Sequence, residues 1–162
     1  MPETSAASVT WFGESLFFET EHQTVAGFWV TDLAFTECPD SSENEAIGLS
    51  LVNALLVSQH GVATPDWSHR PVRPLLKRCG FRYESELVKR SKLVHVRQSA
   101  ELMTLVPTPS EGKCGYRHLP DRAVTCPLTP GVAGLALKTA LDASDAYHAL
   151  ALGVFRRLVR QE

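Results

Sequence analysis

The side chains best suited to metal or acid–base chemistry are six histidines and four cysteines, which are scattered along the chain. Cys114, His118 and Cys126 could supply three metal ligands, but their spacing matches no common zinc site. His118 and Asp121 could form a general acid–base pair, although such a neighbouring pair is more often a local hydrogen bond. The sequence therefore predicts no metal and no cofactor, and leaves His118 with Asp121 as the catalytic alternative.

Motifs of the common enzyme classes are absent from the sequence. It contains no G-x-x-x-x-G-K-[ST], no G-x-G-x-x-G, no G-x-S-x-G and no H-E-x-x-H. These patterns place phosphates, nucleophiles or zinc, so an enzyme would have to work without any of them. This favours a protein that is not an enzyme, with a small cytoplasmic enzyme based on His118 and Asp121 as an alternative.

A basic segment extends from Arg70 to Lys92. It holds eight bases with Phe81 and Tyr83 between them, and only Glu84 and Glu86 oppose these charges. Interleaved basic and aromatic side chains can neutralise phosphates and stack on bases, so a nucleic-acid-binding module at residues 70–92 is a second alternative. The competing interpretation is a solvated helix and strand whose bases pair with the protein's own acids. We prefer it, and expect no direct nucleic-acid partner.

Charge is distributed unevenly along the chain. Residues 1–69 carry ten acids and neither Lys nor Arg, whereas residues 70–162 carry sixteen bases and eight acids. An acidic half repels nucleic acid and attracts basic partners, unless it is only a solvated surface. The predicted partner contacts are carboxylates of turns and of a helix start, together with an acid and a tryptophan in a Pro-rich loop: Glu19, Glu21, Asp40, Glu43, Glu45, Asp66 and Trp67. The alternative is that Trp67 is core and Glu45 only a helix cap.

Two stretches of the chain share an internal repeat. Residues 48–58 and 134–144 both read G-L-x-L-x-x-A-L-x-x-S. Upstream, the segment from Asp32 to Pro39 resembles the segment from Asp121 to Pro127. Because these matches occur in the same order, they predict two copies of one unit, at about residues 8–58 and 92–144, within a single domain spanning residues 1–162.

Each copy is predicted to form four antiparallel strands and a helix, which gives an α+β fold of two ββββα repeats. Both repeat helices are apolar on more than one side, so we expect them to be packed centrally between layers. A connector at 61–91 contains a short helix from Pro74 to Cys79, and a separate C-terminal helix is expected at 145–160. The expected strands are 8–12, 14–20, 24–30 and 32–37, then 92–98, 101–107, 114–118 and 121–126; the expected helices are 44–59, capped by a Ser42–Glu45 box, and one opened by Thr129-Pro130.

The order of these small and apolar positions resembles the family of bacterial contact-dependent growth inhibition immunity proteins. The similarity covers most of residues 8–144 and rests on Gly48-Leu49, Ala54-Leu55 and Ser58; Leu75-Leu76, Gly80 and Tyr83; Leu93-Val94 and Val96; Pro107; Gly115-Tyr116; and Gly134-Leu135, Ala140-Leu141 and Ser144. The resemblance implies a cytoplasmic antitoxin that forms a heterodimer with the C-terminal toxin domain, often a nuclease, of a large exported protein. The family has no fixed motif for toxin contacts, so no contact residue is transferred from it.

The cysteine pattern fits a reducing compartment. Cys38, Cys79, Cys114 and Cys126 do not form a disulfide framework, and we expect four free thiols, with Cys38 and Cys126 at equivalent sites of the two repeats. No run of about 20 apolar residues is present, and residues 1–5 lack the basic and apolar pattern of a secretory signal. The sequence therefore predicts a cytoplasmic protein with no membrane partner.

Overall fold

A computed structural model describes residues 4–66, 68, 73–112 and 115–158, with side chains described as far as residue 145. The strands and helices form a mixed α+β arrangement. The strands are β1 (Thr4–Phe12), β2 (Ser15–Thr24), β3 (Trp29–Pro39), β4 (His60–Val62), β5 (Lys92–Ser99), β6 (Leu102–Thr108) and β7 (Val124–Pro127). The helices are α1 (Asn44–Leu56), α2 (Pro74–Arg78), α3 (Glu84–Arg90) and α4 (Pro130–Leu158), with a 3-10 turn at Pro120–Arg122.

The strands form one sheet in the order β3-β2-β1-β5-β6-β7, in which all neighbours are antiparallel. The central pair is β1 and β5, with Val9 opposite Val94. The short strand β4 pairs in parallel with the end of β2. The sheet is thus symmetric in outline, because each half contributes one central strand, its hairpin partner and an outer strand.

Helices α1 and α4 cover one face of this sheet. Alternate residues of the strands point to that face and join the two helices in the larger apolar core, which includes Phe18, Leu51, Val96 and Leu137. The opposite face is covered over β2 by α2 and α3, where Phe17 packs with the leucines Leu75, Leu76 and Leu87. The sheet therefore has an apolar layer on each side.

The order of three strands and a helix occurs in both halves of the chain, as β1-β2-β3-α1 and β5-β6-β7-α4. The register supports the predicted equivalence of two cysteines: Cys38 lies opposite Leu16 on β2, and Cys126 lies opposite Met103 on β6. Both thiols are buried against the helices. Cys38, Cys79 and Cys126 are free, and Cys114 lies outside the described residues.

The prediction of four strands in each repeat is wrong, since in the part of the chain that the structure describes each half has three before its helix. In the first half, the expected strands 24–30 and 32–37 are replaced by one strand, β3, because the chain turns earlier, at Gly27, whose φ is +85°. In the second half, Tyr116 makes only an isolated bridge to Ser110. The prolines at 107 and 109 cannot donate to a ladder, so no regular strand forms at 115–118.

The helix predictions need three corrections. The expected C-terminal helix at 145–160 is not separate, because α4 continues without a break from Pro130 to Leu158, and no Gly or Pro stands near residue 145 to interrupt it. The expected capping box is absent, since Glu43 is the N-cap of α1 and makes no side-chain capping bond. The expected packing of both repeat helices between two layers is wrong for their outer sides, where Leu49 and Leu135 are exposed.

Helices α1 and α4 meet at the glycines that the repeat shares. A Cβ atom on Gly48 would lie 1.7 Å from the carbonyl oxygen of Pro130, and one on Gly134 would lie 1.9 Å from the carbonyl oxygen of Asn44. Each helix therefore touches the backbone of the other at its equivalent glycine. The repeat motif fixes the crossing point of the helix layer, because any larger residue would separate the helices.

Candidate functional site

The buried charged side chains that the structure describes, Glu19 and Glu21, lie on the sheet face opposite α1 and α4. On this face the central strand β1 carries the small residues Ala6 and Ser8 between longer side chains on β2 and β5. Ser8 lies opposite both Glu19 and His95, and Ala6 lies opposite Glu21. Because small side chains leave space above β1, the carboxylate of Glu21 on β2 reaches bases of β5 across it.

Glu21 is the centre of the first polar cluster. Its carboxylate lies 3.2 Å from Nδ1 of His95 and accepts a 2.7 Å hydrogen bond from Nη1 of Arg97, while its side chain is only 6% exposed. Burial by itself raises the pKa of Glu21, but the hydrogen bonds and charges of His95 and Arg97 outweigh it and hold the pKa below its ordinary value. Glu21 is therefore an ionised, fully engaged carboxylate rather than a free general base.

Aromatic contacts extend this cluster towards the surface. The His118 ring stacks on His95, with centroids 4.6 Å apart and an interplanar angle of 14°. The Arg97 guanidinium lies 4.3 Å from the centroid of Trp29, a cation–π distance. Partial burial and the neighbouring charges of His95 and Arg97 lower the pKa of His118, which favours its neutral form.

The structure does not form the proposed acid–base pair. His118 stacks on His95, and among the described residues no hydrogen bond or ion pair joins it to Asp121, which lies exposed in the 3-10 turn. The suggested metal trio is also separated, because Cys126 is buried under the helices on the other face of the sheet. Within the described ranges, no group of three or more His, Cys, Asp or Glu side chains could hold a metal ion.

Arg73 is the centre of the second polar cluster. It donates through Nε to Glu19 Oε1 at 2.8 Å and also forms ion pairs with Glu19 Oε2 and with Glu84 at the start of α3. The Glu19 side chain is 1% exposed. Burial by itself would lower the pKa of Arg73, but the hydrogen bonds and charges of Glu19 and Glu84 raise it, so the guanidinium stays charged. This network attaches the connector to the sheet.

Other bases of the segment from Arg70 to Lys92 also pair with the protein's own acids. Arg78 donates two 2.8 Å hydrogen bonds to Glu37 on the outer strand β3. Lys92 donates to Asp145 at 2.6 Å and lies 4.4 Å from the Trp11 centroid. Arg70 lies outside the described residues. These pairings favour the solvated helix and strand over a phosphate-binding surface.

The predicted partner contacts fall into two groups. Glu19 and Glu21 are buried and paired with bases of the connector and β5, so they do not lie on an exposed acidic surface, and their contact with a partner stays a prediction. The other acids are accessible to different degrees. Asp40 is half-buried and accepts a 2.9 Å bond from Trp11 Nε1, Glu43 and Glu45 are exposed at the start of α1, Asp66 is exposed and bonded to Ser68, and Trp67 lies outside the described residues.

The residues that sequence reasoning missed are the bases around the buried acids, above all Arg73, His95 and Arg97. One signal was present: Leu16, Phe17 and Phe18 make the start of β2 apolar on both faces. A strand covered on both faces buries any acid that follows on it, and a buried acid needs a cationic partner. The sequence did not show which bases would be near enough.

Comparison with solved structures finds this fold in other proteins, including the following two. A protein of unknown function from Neisseria meningitidis matches with a TM-score of 0.74 at 18% sequence identity, covering 88% of this chain and 96% of the other. A chain of the CdiA-CT/CdiI toxin and immunity complex from Yersinia pseudotuberculosis matches with a TM-score of 0.69 at 16% identity, covering 86% and 97%. No protein-family model matches the chain, and no curated protein does. At these identities the likeness establishes a shared fold.

Among the residues that the structure describes, no helix has both the length and the apolar content needed to cross a membrane.

Proposed function

We propose that this protein is a contact-dependent growth inhibition immunity protein that binds the C-terminal domain of its cognate toxin as a heterodimer in the cytoplasm. The observation that carries the proposal is the fold shared with a chain of a toxin and immunity complex, over nearly the whole of that chain. The repeat motifs of this sequence support the same family independently. The test is whether the chain co-purifies with the C-terminal domain of the large protein encoded beside it.

The polar clusters support an inhibitor rather than an enzyme. Glu21 is occupied by His95 and Arg97, and Glu19 by Arg73, so neither carboxylate is available to accept a proton from a substrate. A protein that works by covering another protein needs complementary surface and no reacting groups.

The toxin is proposed to be a nuclease, and to dock on the acids that remain accessible in the first half of the chain. A nuclease groove must be basic to hold RNA or DNA, so an acidic surface complements it. Three candidate contacts lie within six residues, from Asp40 at the end of β3 to Glu43 and Glu45 at the start of α1. Asp66 and Trp67 are proposed as further contacts on the loop that follows β4.

Reversing the charge of Glu43 and Glu45 to lysine is expected to slow association with the toxin domain several-fold and to flatten its dependence on salt. Both side chains are exposed, and Glu43, although it is the N-cap residue of α1, makes no side-chain capping bond, so the melting temperature should fall only slightly, through the lost interaction of the two acids with the helix dipole. Association rates measured by surface plasmon resonance at two salt concentrations test this.

The matched control is Glu101→Lys, an exposed acid in the β5–β6 turn of the other half of the chain, which should leave the association rate as it is. The opposite result is an association rate that does not change with the reversals at 43 and 45 but falls sharply when the charges of Lys77 and Lys89 are reversed. It would place the toxin on the connector and contradict the proposed acidic surface.

A further inference from the structure

The side of α1 and α4 that faces away from the sheet carries exposed apolar side chains. Leu49 and Leu56 on α1 are 51% and 71% exposed, and Leu135 on α4 is 56% exposed. Leu49 and Leu135 occupy the same position in the two copies of the repeat, immediately after the glycines at which the helices touch. Both copies therefore place a leucine in solvent beside the crossing point.

The spacing on α1 makes these side chains one surface. Leu49, Val52 and Leu56 recur at three- and four-residue intervals, so they lie along a single stripe of the helix. Glu45 lies one turn before Leu49 on the same stripe, and its carboxylate lies against Gly131 of α4, which places this stripe on the side of α1 next to α4. We call the set Leu49, Val52, Leu56 and Leu135 the outer helix face.

The exposed charges beside the outer helix face are acidic. Glu45 lies at the start of α1, with Oε2 only 2.9 Å from where a Cβ on Gly131 of α4 would lie, and Asp142 is exposed two turns after Leu135. The base of this part of α4, Lys138, is partly buried and is held against the N-terminal end of α1, since its Nζ donates a 3.0 Å hydrogen bond to the carbonyl oxygen of Ser42. An apolar surface with a polar rim is typical of an interaction site.

The rim charge identifies the kind of partner. A second copy of this chain would present the same two acids, Glu45 and Asp142, at its rim, and like charges across an interface oppose association. A protein with an apolar contact patch bordered by Lys or Arg would complement both the centre and the rim.

We infer that the outer helix face is the apolar centre of the toxin-docking surface, with Leu49, Leu56 and Leu135 as its anchors and the acids at the start of α1 as part of its rim. This inference rests on the proposed function. It extends the docking surface from the carboxylates of the β3–α1 turn onto both helices, and it requires a toxin domain that presents apolar side chains within a basic border.

The test is the affinity of the purified toxin domain for the double variant Leu49→Gln with Leu135→Gln. Glutamine keeps the length and the helix propensity of leucine, so the free energy of unfolding should change little while the dissociation constant rises by about tenfold or more. The control is Leu102→Gln, an apolar side chain that is equally exposed at the start of β6 and away from the helix layer; it should bind like the wild type.

The outcomes separate the inference from the proposed function. If the wild-type chain and the double variant bind the toxin domain with equal affinity, the inference is overturned and the immunity function still stands. The same holds if Leu102→Gln loses as much affinity as the double variant. A wild-type chain that does not bind at all overturns the proposed function with it. Sedimentation of the wild type and of the double variant, each without the toxin domain, gives their oligomeric states. A wild type that is a dimer and a double variant that is a monomer would make the outer helix face a self-association surface and overturn the inference.

Discussion

Replacing Gly48 or Gly134 with alanine is expected to lower the free energy of unfolding by about 3 kcal/mol, the upper range for forcing extra atoms into a packed core. The new Cβ would lie within 2 Å of a backbone carbonyl oxygen of the other helix. A backbone cannot rotate away as a side chain does, so α1 and α4 must separate along their whole contact. Urea unfolding followed by circular dichroism measures the loss.

Gly131→Ala is the matched control, because it lies on the same helix as Gly134. Its Cβ would meet only the end of the flexible Glu45 side chain, at 2.9 Å. Its effect should stay within about 0.5 kcal/mol. If alanine at 48 and 134 were tolerated as well as at 131, the two helices would not be in backbone contact at the repeat glycines.

Replacing Arg73 with methionine is expected to lower the free energy of unfolding by about 3 kcal/mol, because it leaves the Glu19 carboxylate buried without its cation. A second substitution, Glu19→Leu, should recover most of that loss in the double variant, since two apolar side chains of similar volume leave no buried charge unpaired. A double-mutant cycle of unfolding free energies measures the coupling between the two positions.

Arg78→Met provides the comparison for the Arg73 variant. Arg78 also makes a two-bond contact with a glutamate, Glu37, but this pair is exposed to water. Its loss should cost no more than about 1 kcal/mol. If Arg73→Met and Arg78→Met lowered the free energy of unfolding equally, burial of Glu19 would not increase the contribution of its ion pair to stability.

The sequence predicted the elements that local signals define. The repeat motif placed both large helices, Pro74 and Gly80 bounded α2, and Thr129-Pro130 marked the start of α4. Equivalent register positions for Cys38 and Cys126 follow from the same repeat. These features depend on residues close together in the chain, so their spacing was enough to identify them.

Features that depend on distant residues were not predictable in the same way. Nothing near Glu19 in the sequence indicates that Arg73, 54 residues away, encloses it. The strand break expected at Thr31 does not occur, because the hairpin turn at Gly27 already reverses the chain and β3 then remains paired with β2. The apolar outer sides of α1 and α4 suggested a buried position, but the fold leaves them in solvent, where a partner protein can cover them.

The most direct measurement of the central claim is a titration of the neighbouring gene's toxin domain with this protein. We expect a stable one-to-one complex by light scattering after gel filtration, and complete loss of the domain's toxic activity once the two chains are equimolar. Co-expression should then restore growth to cells that produce the toxin domain. A toxin domain that keeps its full activity in the presence of excess folded protein, with no complex formed, would contradict the immunity function.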